Sequence, residues 1–479
     1  MIFRSLFFLF LSLNIDAATI AIIDTGFDLD HDFLKPKVSL SESEQPIKFM
    51  GHDLTDNSHL KKAVIEDQES IQDILRYRTL KAKGHKTGLT LEDFEWFKQK
   101  TADPDFMEKI RLFKRHSHGT FVAGIALREG ENINIFPIRG LGLPSPVVAV
   151  EDSTKETSEP LKGKTPEERF QEEIENSLNR VSKKFSKICS YIARRNIQVV
   201  NASYGITYKS ILARFREKHR EIVGTEIREK ELKQLVENYF IELYKRGEKT
   251  ISRYPKLLFV FSAGNSGLDN DLYHHYPSRI KLPNTLSVAA MNGDYLASFS
   301  NYGKLVDIGA PGVGVLSLLP KVYSEKTEDT YSPASGTSMA APYIANLAAQ
   351  VMNTNPKLSP SEVKRIILTT GEEKLHLRPR LASGSVVSND RALRAASLSK
   401  EMPIDEAINL AESNLLQDKI SLGTSPAINP ESLKQSLLDT IPEPVTTAEM
   451  DDELNEQADK KALPPPPPPA QESDNPGLE

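Results

Sequence analysis

The run Ser335-Gly336-Thr337-Ser338-Met339-Ala340-Ala341-Pro342, continued by Tyr343-Ile344-Ala345-Asn346-Leu347-Ala348-Ala349, is the most informative stretch of this 479-residue chain. Its small residues define a helix able to pack closely against a sheet. Ser338 stands at the start of that helix, where the first backbone N–H groups have no partner within the helix. There its hydroxyl is exposed for attack and its own N–H can face a developing oxyanion. A serine that merely caps a buried helix would explain the hydroxyl, but it would not need the preceding Gly336-Thr337.

Around this block the chain alternates apolar runs with amphipathic stretches. Thr19 to Ile23, Ile133 to Ile138, Ile197 to Val200, Leu257 to Phe261 and Thr285 to Ala289 are brief β-branched or aromatic runs bounded by polar or Gly-rich turns. Unalternating runs of this kind read as parallel strands buried on both faces. Arg169 to Arg195 and Glu229 to Lys245 read as amphipathic helices, so the succession predicts a βαβ sheet and an α/β fold.

Three further blocks carry chemistry. Ile22-Ile23-Asp24-Thr25-Gly26 ends a strand in a carboxylate and a turn glycine. In an open parallel sheet, ligands bind beyond the carboxyl ends of the strands. An Asp placed there can accept from an imidazole N–H and fix its tautomer, while an Asp that only caps the next turn is the plainer alternative. His116-Ser117-His118-Gly119-Thr120-Phe121-Val122-Ala123-Gly124 reads as a histidine opening a small-residue helix, whose dipole would disfavour imidazolium and leave a neutral base. A metal held by His116 and His118 would lack a third ligand nearby, and residues two apart do not share a helix face. Phe261-Ser262-Ala263-Gly264-Asn265-Ser266-Gly267 follows another strand. Its glycines let a substrate backbone approach closely, and the Asn265 amide can donate to an oxyanion.

With Asp24, His118 and Ser338 in this order, and Asn265 between the last two, the chain resembles the subtilisin-like serine proteases. The likeness extends to Asn201-Ala202-Ser203-Tyr204-Gly205, similar to the family's substrate-binding strand, to Phe299-Ser300-Asn301-Tyr302-Gly303, and to Ala310-Pro311-Gly312. It covers about residues 19 to 398. The resemblance implies a subtilisin-like three-layer α/β fold with a mostly parallel central sheet flanked by helices. It implies a serine endopeptidase acting on protein or peptide, in which Ser338 attacks the scissile carbonyl and His118 takes and returns the proton. Asp24 would orient His118, and Asn265 with the Ser338 N–H would hold the oxyanion. Ser203, Tyr204, Gly205, Ala263 and Gly264 are the substrate-binding residues it implies. The competing class is a catalytically silent subtilase-like module that binds peptide in the cleft, although all four catalytic positions are filled. A lipase or esterase would want a G-x-S-x-G elbow and the order Ser, Asp, His; Gly-Thr-Ser-Met-Ala after Asp and His contradicts it.

Departures from the family pattern carry their own expectations. Phe121 replaces a second histidine, with little expected loss of chemistry. The family's first block commonly continues His-Pro-Asp-Leu, whose Asp contributes to a calcium site; here His31-Asp32-Phe33-Leu34 shifts the carboxylate by one position. No cofactor is expected to be required, and structural calcium is left open. The first catalytic strand begins at Thr19, directly after an apparent signal, which leaves no room for the prodomain of most exported relatives. Asp269-Asn270-Asp271, just past the oxyanion block, would favour a basic residue before the scissile bond, or else form a solvated acidic loop.

Residues 1–17 read as an export signal, with Arg4, an apolar run from Ser5 to Leu13 too short to span a bilayer, and small residues Ala17-Ala18. The expected product is exported, secreted or periplasmic, without membrane insertion after signal removal. Residues 18–398 read as the catalytic domain, with insertions at about 61–115, 144–166 and 208–249 that read as solvated helical or loop decoration. Residues 399–479 read as an acidic, largely disordered tail, with one helix over Ile404 to Leu415 and a polyproline spacer at Pro464 to Pro469. That tail carries a net charge of -12, leaving +6 for the body, so either an intramolecular tail contact or a solvated tail is consistent. The overall charge of -6 argues against a nucleic-acid partner. Cys189 is the sole cysteine, which excludes an intramolecular disulfide and a Cys-based zinc site.

Overall fold

The computed structural model describes residues 17–38, 48–49, 52–53, 65, 67–84, 88–130, 132–139, 164–323 and 331–413. The signal-like segment before Ala17, most of the 144–166 insertion and the tail beyond Ser413 lie outside the described residues.

Six parallel strands form the centre: β1 (Ala18–Asp24), β2 (Ile133–Arg139), β3 (Val199–Ala202), β4 (Leu258–Ser262), β5 (Thr285–Asn292) and β6 (Ile308–Pro311). Their spatial order is β2-β1-β3-β4-β5-β6, extended beyond β6 by the short strands Ser385–Val386 and Glu372–Glu373. All seven residues of β1 are buried. Ile20 and Ile22 enter one core, while Ala21 and Ile23 enter another on the opposite face. This double covering is why the strand runs are apolar without alternation. β3 lies two residues beyond the run that predicts it, since Asn201 is fully buried and donates from Nδ2 to Ser203 Oγ at 3.0 Å.

One face is covered by α3 (Pro104–Ala126) and α7 (Thr337–Thr354), which follow α1 (Gln68–Gly84) and α2 (Leu91–Thr101) and which contribute Val122, Ala123, Ala340 and Ile344 to the core. Asn346 in α7 ties the two, donating to the Ala126 carbonyl at 2.8 Å and the Glu129 carbonyl at 2.7 Å, where the end of α3 would otherwise leave acceptors unmet. The other face is covered by α4 (Pro166–Ile192), α5 (Tyr208–Val223) and α6 (Glu229–Ile251). Thr165 and Glu168 form a capping box that starts α4, and Gly224 at φ 81 ends α5.

The structure corrects three expectations about the decorations. The 208–249 segment is not a solvated appendage: Phe215, Leu232, Tyr239 and Phe240 are buried in the second core. Within 61–115, α1, α2 and the first half of α3 build a lobe of their own around Tyr77, Phe97, Phe106 and Phe113, with Trp96 packed beside them. The domain boundary after Leu398 falls too early. Following α8 (Pro360–Thr369) and α9 (Asn389–Leu398), the helix α10 (Ile404–Ser413) places Ile408 and Ala411 in the main core. Among the described residues, no helix is long and apolar enough to cross a membrane.

Candidate active site

Register places the key segments side by side. Ile23 pairs with Ala202, and Ala202 with Phe261, so Asp24, Ser203 and Ser262 leave the sheet in one row at its carboxyl edge. Asp24 is fully buried. Its Oδ1 accepts from the Thr25 N–H at 2.7 Å, and His118 Nδ1 lies 2.8 Å from Oδ1 and 2.9 Å from Oδ2. An ionised carboxylate can only accept, so Nδ1 carries a proton, and whenever the ring is neutral its lone pair is on Nε2. Thr25 Oγ1 donates to the Arg115 carbonyl at 2.6 Å, which fixes the β1 turn against the helix that bears His118.

His118 does not open its helix. The insertion's last helical segment runs straight into the motif, so His118 lies deep within the 23-residue α3, with Pro104 in its first turn. The helix-dipole argument for a neutral base therefore fails, because amides at mid-helix are already bonded. Burial lowers the affinity of His118 for a proton, but the charge and hydrogen bond of Asp24 outweigh it and its pKa is raised above the ordinary value. The small residues expected of this helix serve packing: a Cβ on Gly119 would lie 2.1 Å from the Gly26 carbonyl oxygen. His116 faces the core, with Nδ1 2.8 Å from Tyr323 Oη.

Ser338 is the second residue of α7, after Gly336 at φ 154. Its Oγ donates to the Ser203 carbonyl at 3.2 Å, and Ser203 Oγ donates to the Ser338 carbonyl at 3.1 Å. No hydrogen bond joins Ser338 Oγ to His118. Such bonds are often loose in a free enzyme and tighten when substrate binds. Asn265 is exposed, and its Oδ1 accepts from the Thr337 N–H at 2.8 Å and from Thr337 Oγ1 at 2.9 Å. With Oδ1 occupied, the amide presents Nδ2 as a free-facing donor, 3.5 Å from where a Cβ on Gly336 would stand.

Thr337 is the functional residue whose role the motif reading missed. Its Oγ1 also accepts from the Gly264 N–H at 3.1 Å, so one hydroxyl sets both the amide and the glycine turn. The unexplained Thr before Ser338 was the available signal. Among the expected substrate-binding residues, Tyr204 and Gly205 are half-buried at the cleft, whereas Ala263 is fully buried and its carbonyl accepts from Asn270 Nδ2 at 2.9 Å. Asp269 and Asp271 do not aim into the site. Asp271 accepts from the Lys304 N–H at 2.6 Å and the Leu305 N–H at 2.7 Å, holding a surface turn. Asp32 is exposed and pairs with the Lys321 ammonium at 2.7 Å, an arrangement that does not fit a calcium ligand.

The sequence model of the Subtilase family matches residues 16–389. Alkaline protease 1 of Aspergillus clavatus is 40% identical over 113 residues, 23% of this chain and 26% of that protein. M-protease of Shouchella clausii is 37% identical over 115 residues, 24% of this chain and 27% of that protein. The matched stretch thus spans about a quarter of each of these relatives. A solved structure of a cold adapted subtilisin-like serine proteinase is similar over 78% of this chain and 92% of its own, at 18% identity and a TM-score of 0.40. The match over most of the described chain, together with the parallel sheet that gathers Asp24, Ser203 and Asn265 at one edge, makes this chain a member of the subtilase family.

Proposed function

We propose that the chain is an exported serine endopeptidase, with Asp24, His118 and Ser338 as its triad and Asn265 as oxyanion donor. The observation that carries this reading is the His118 Nδ1 contact to both oxygens of Asp24, at 2.8 and 2.9 Å. With Nδ1–H committed to Asp24, the neutral ring present above the raised His118 pKa has its lone pair on Nε2, able to take the Ser338 Oγ proton as Oγ bonds to the scissile carbonyl carbon. The carbonyl oxygen becomes an oxyanion that Asn265 Nδ2 and the Ser338 N–H stabilise. Imidazolium, stabilised by the Asp24 carboxylate, returns the proton to the departing amine as the C–N bond breaks. Water, deprotonated by the same imidazole, then cleaves the acyl-enzyme and regenerates the serine. No cofactor is required for these steps. Export is supported by the apolar run before Ala17-Ala18.

A second reading, a silent peptide-binding module, draws on the Ser338 hydroxyl being turned to Ser203 instead of His118. Labelling by a fluorophosphonate probe separates the two, because the probe needs an activated serine and an oxyanion site but no particular substrate. Labelling that disappears in Ser338→Ala is the expected result. A folded chain that stays unlabelled would favour the silent module.

A further inference from the structure

Gly205 and Gly264 face the same imidazole. A Cβ on Gly205 would lie 2.1 Å from His275 Nε2 and 2.2 Å from its Cε1, and a Cβ on Gly264 would lie 2.9 Å from its Nε2 and Cδ2. The ring therefore takes up the room that Gly205 creates by lacking a side chain, and it shares the room beside Gly264 with Asn301, whose Nδ2 would lie 2.5 Å from a Cβ there. Gly264, at φ 112, is favoured as glycine by its backbone as well, but Gly205 is not in a left-handed conformation. Contact with the ring is the steric reason for glycine there.

The ring is held in place. Residue 275 pairs with Thr207 in a two-residue antiparallel ladder, its Nδ1 lies 2.8 Å from Ser278 Oγ, and it is 4% exposed. Burial brings its pKa down to about 4, so it is neutral at pH 7 and offers no charge to a charged substrate side chain. The acids nearby are turned to the backbone: Asp271 accepts from the Lys304 and Leu305 N–H groups and Asp269 Oδ1 accepts from the Asp271 N–H at 2.8 Å.

The position of this ring matters because of what the oxyanion donors fix. Asn265 and the Ser338 N–H would hold the scissile carbonyl, and the side chain of the residue that owns that carbonyl branches one bond away. The substrate-binding residues that the subtilase resemblance implies place it between the 203–205 and 263–265 segments, in the space bounded by Gly205 and Gly264. We propose that His275 determines substrate class: building on the protease reading, its ring floors this space so high that only glycine, alanine or serine fits on the acyl side of the scissile bond. One methylene too many in a closed pocket is worth roughly 10–200-fold in kcat/KM.

The test compares peptide substrates that differ only in that residue, with Ala against Phe, Leu and Lys, in the full chain and in His275→Gly. Expected is a preference for Ala over Phe of at least about tenfold, reversed by His275→Gly. Because the variant could fail to fold, cleavage sites of the unaltered chain in casein, read by mass spectrometry, give an independent answer: small residues should dominate before the cut. A chain that is labelled by the fluorophosphonate but cuts after Phe, Leu or Lys as readily as after Ala would overturn the inference alone. A folded, unlabelled chain would overturn it together with the protease reading.

Discussion

The carboxyl edge of the sheet and the helical lobe of residues 68–115 share one helix, yet they disclose themselves differently. At the edge, each candidate residue sits in a short recognisable block, some of whose neighbours serve it locally: Thr25 bonds Asp24, and Gly336 precedes the helix that bears Ser338. In the lobe, Tyr77 stacks on Phe97 at 4.9 Å and Phe113 lies 4.6 Å from Tyr323, contacts between segments that no motif joins. The lobe nevertheless reaches the site. Arg78 donates from Nε to Ser332 Oγ at 3.2 Å, bonding the strand of a hairpin (Val315–Leu318 with Tyr331–Ala334) that leads into the Ser335 block. It also stands 4.9 Å over the Phe113 ring. A lobe that is charged in composition and looks solvated thus braces both the helix of His118 and the approach to Ser338.

The comparison holds if variants at the edge abolish chemistry while those in the lobe chiefly lower stability. The largest effect is expected for Ser338→Ala: kcat should fall roughly 10⁶-fold, the scale for losing a nucleophile that works as part of a unit. Retention of more than a hundredth of the activity would remove Ser338 from its role. Next comes Asp24→Asn, which should cost about 10⁴-fold in kcat by favouring the wrong tautomer of His118. The same substitution tests the pH behaviour. Asp24 raises the His118 pKa, so activity should rise with pH through a midpoint above the ordinary histidine value of 6.5. Without the carboxylate, the midpoint of the residual activity should move down; one that stays put would mean that Asp24 does not set it.

Asn265→Ala should lower kcat by about 10²–10³-fold with KM little changed, because an oxyanion donor acts in the transition state. An effect confined to KM would instead make Asn265 a binding residue. The smallest effect on catalysis belongs to the lobe. Phe113→Ala should destabilise the fold by about 3–5 kcal/mol, measured by urea unfolding, since it empties a fully buried aromatic site. Its kcat/KM in the folded state should fall less than that of Asn265→Ala. A larger loss would show that the lobe is part of the catalytic apparatus and not only a brace.

Much of the edge was legible because strands buried on both faces leave unbroken apolar runs, and turns at their ends leave Gly, Asn and Asp. That logic located β1, β2, β4 and β5 and the four catalytic candidates. It misjudged His118, whose motif says nothing of the 14 residues of α3 that precede it from Pro104 to Ser117. It misjudged residues 208–249, since a helix with many charges still buries a stripe, and here Phe215 of α5 and Tyr239 and Phe240 of α6 are buried in the second core. Asp271 looked available to a substrate because its hydrogen bonds to backbone 33 and 34 residues away leave no trace in composition.

By itself the sequence determined which residue types stand where a nucleophile, a base, its orienting carboxylate and an oxyanion donor are needed, because those demands are met by near neighbours in the chain. Only the tertiary structure decided that Thr337 aims Asn265, that the lobe grips the strand before Ser338, and that His275 stands between Gly205 and Gly264. Those relations join residues from 11 to 254 positions apart. They exist only once the sheet has set its strand order and the packing of side chains has left one space for each.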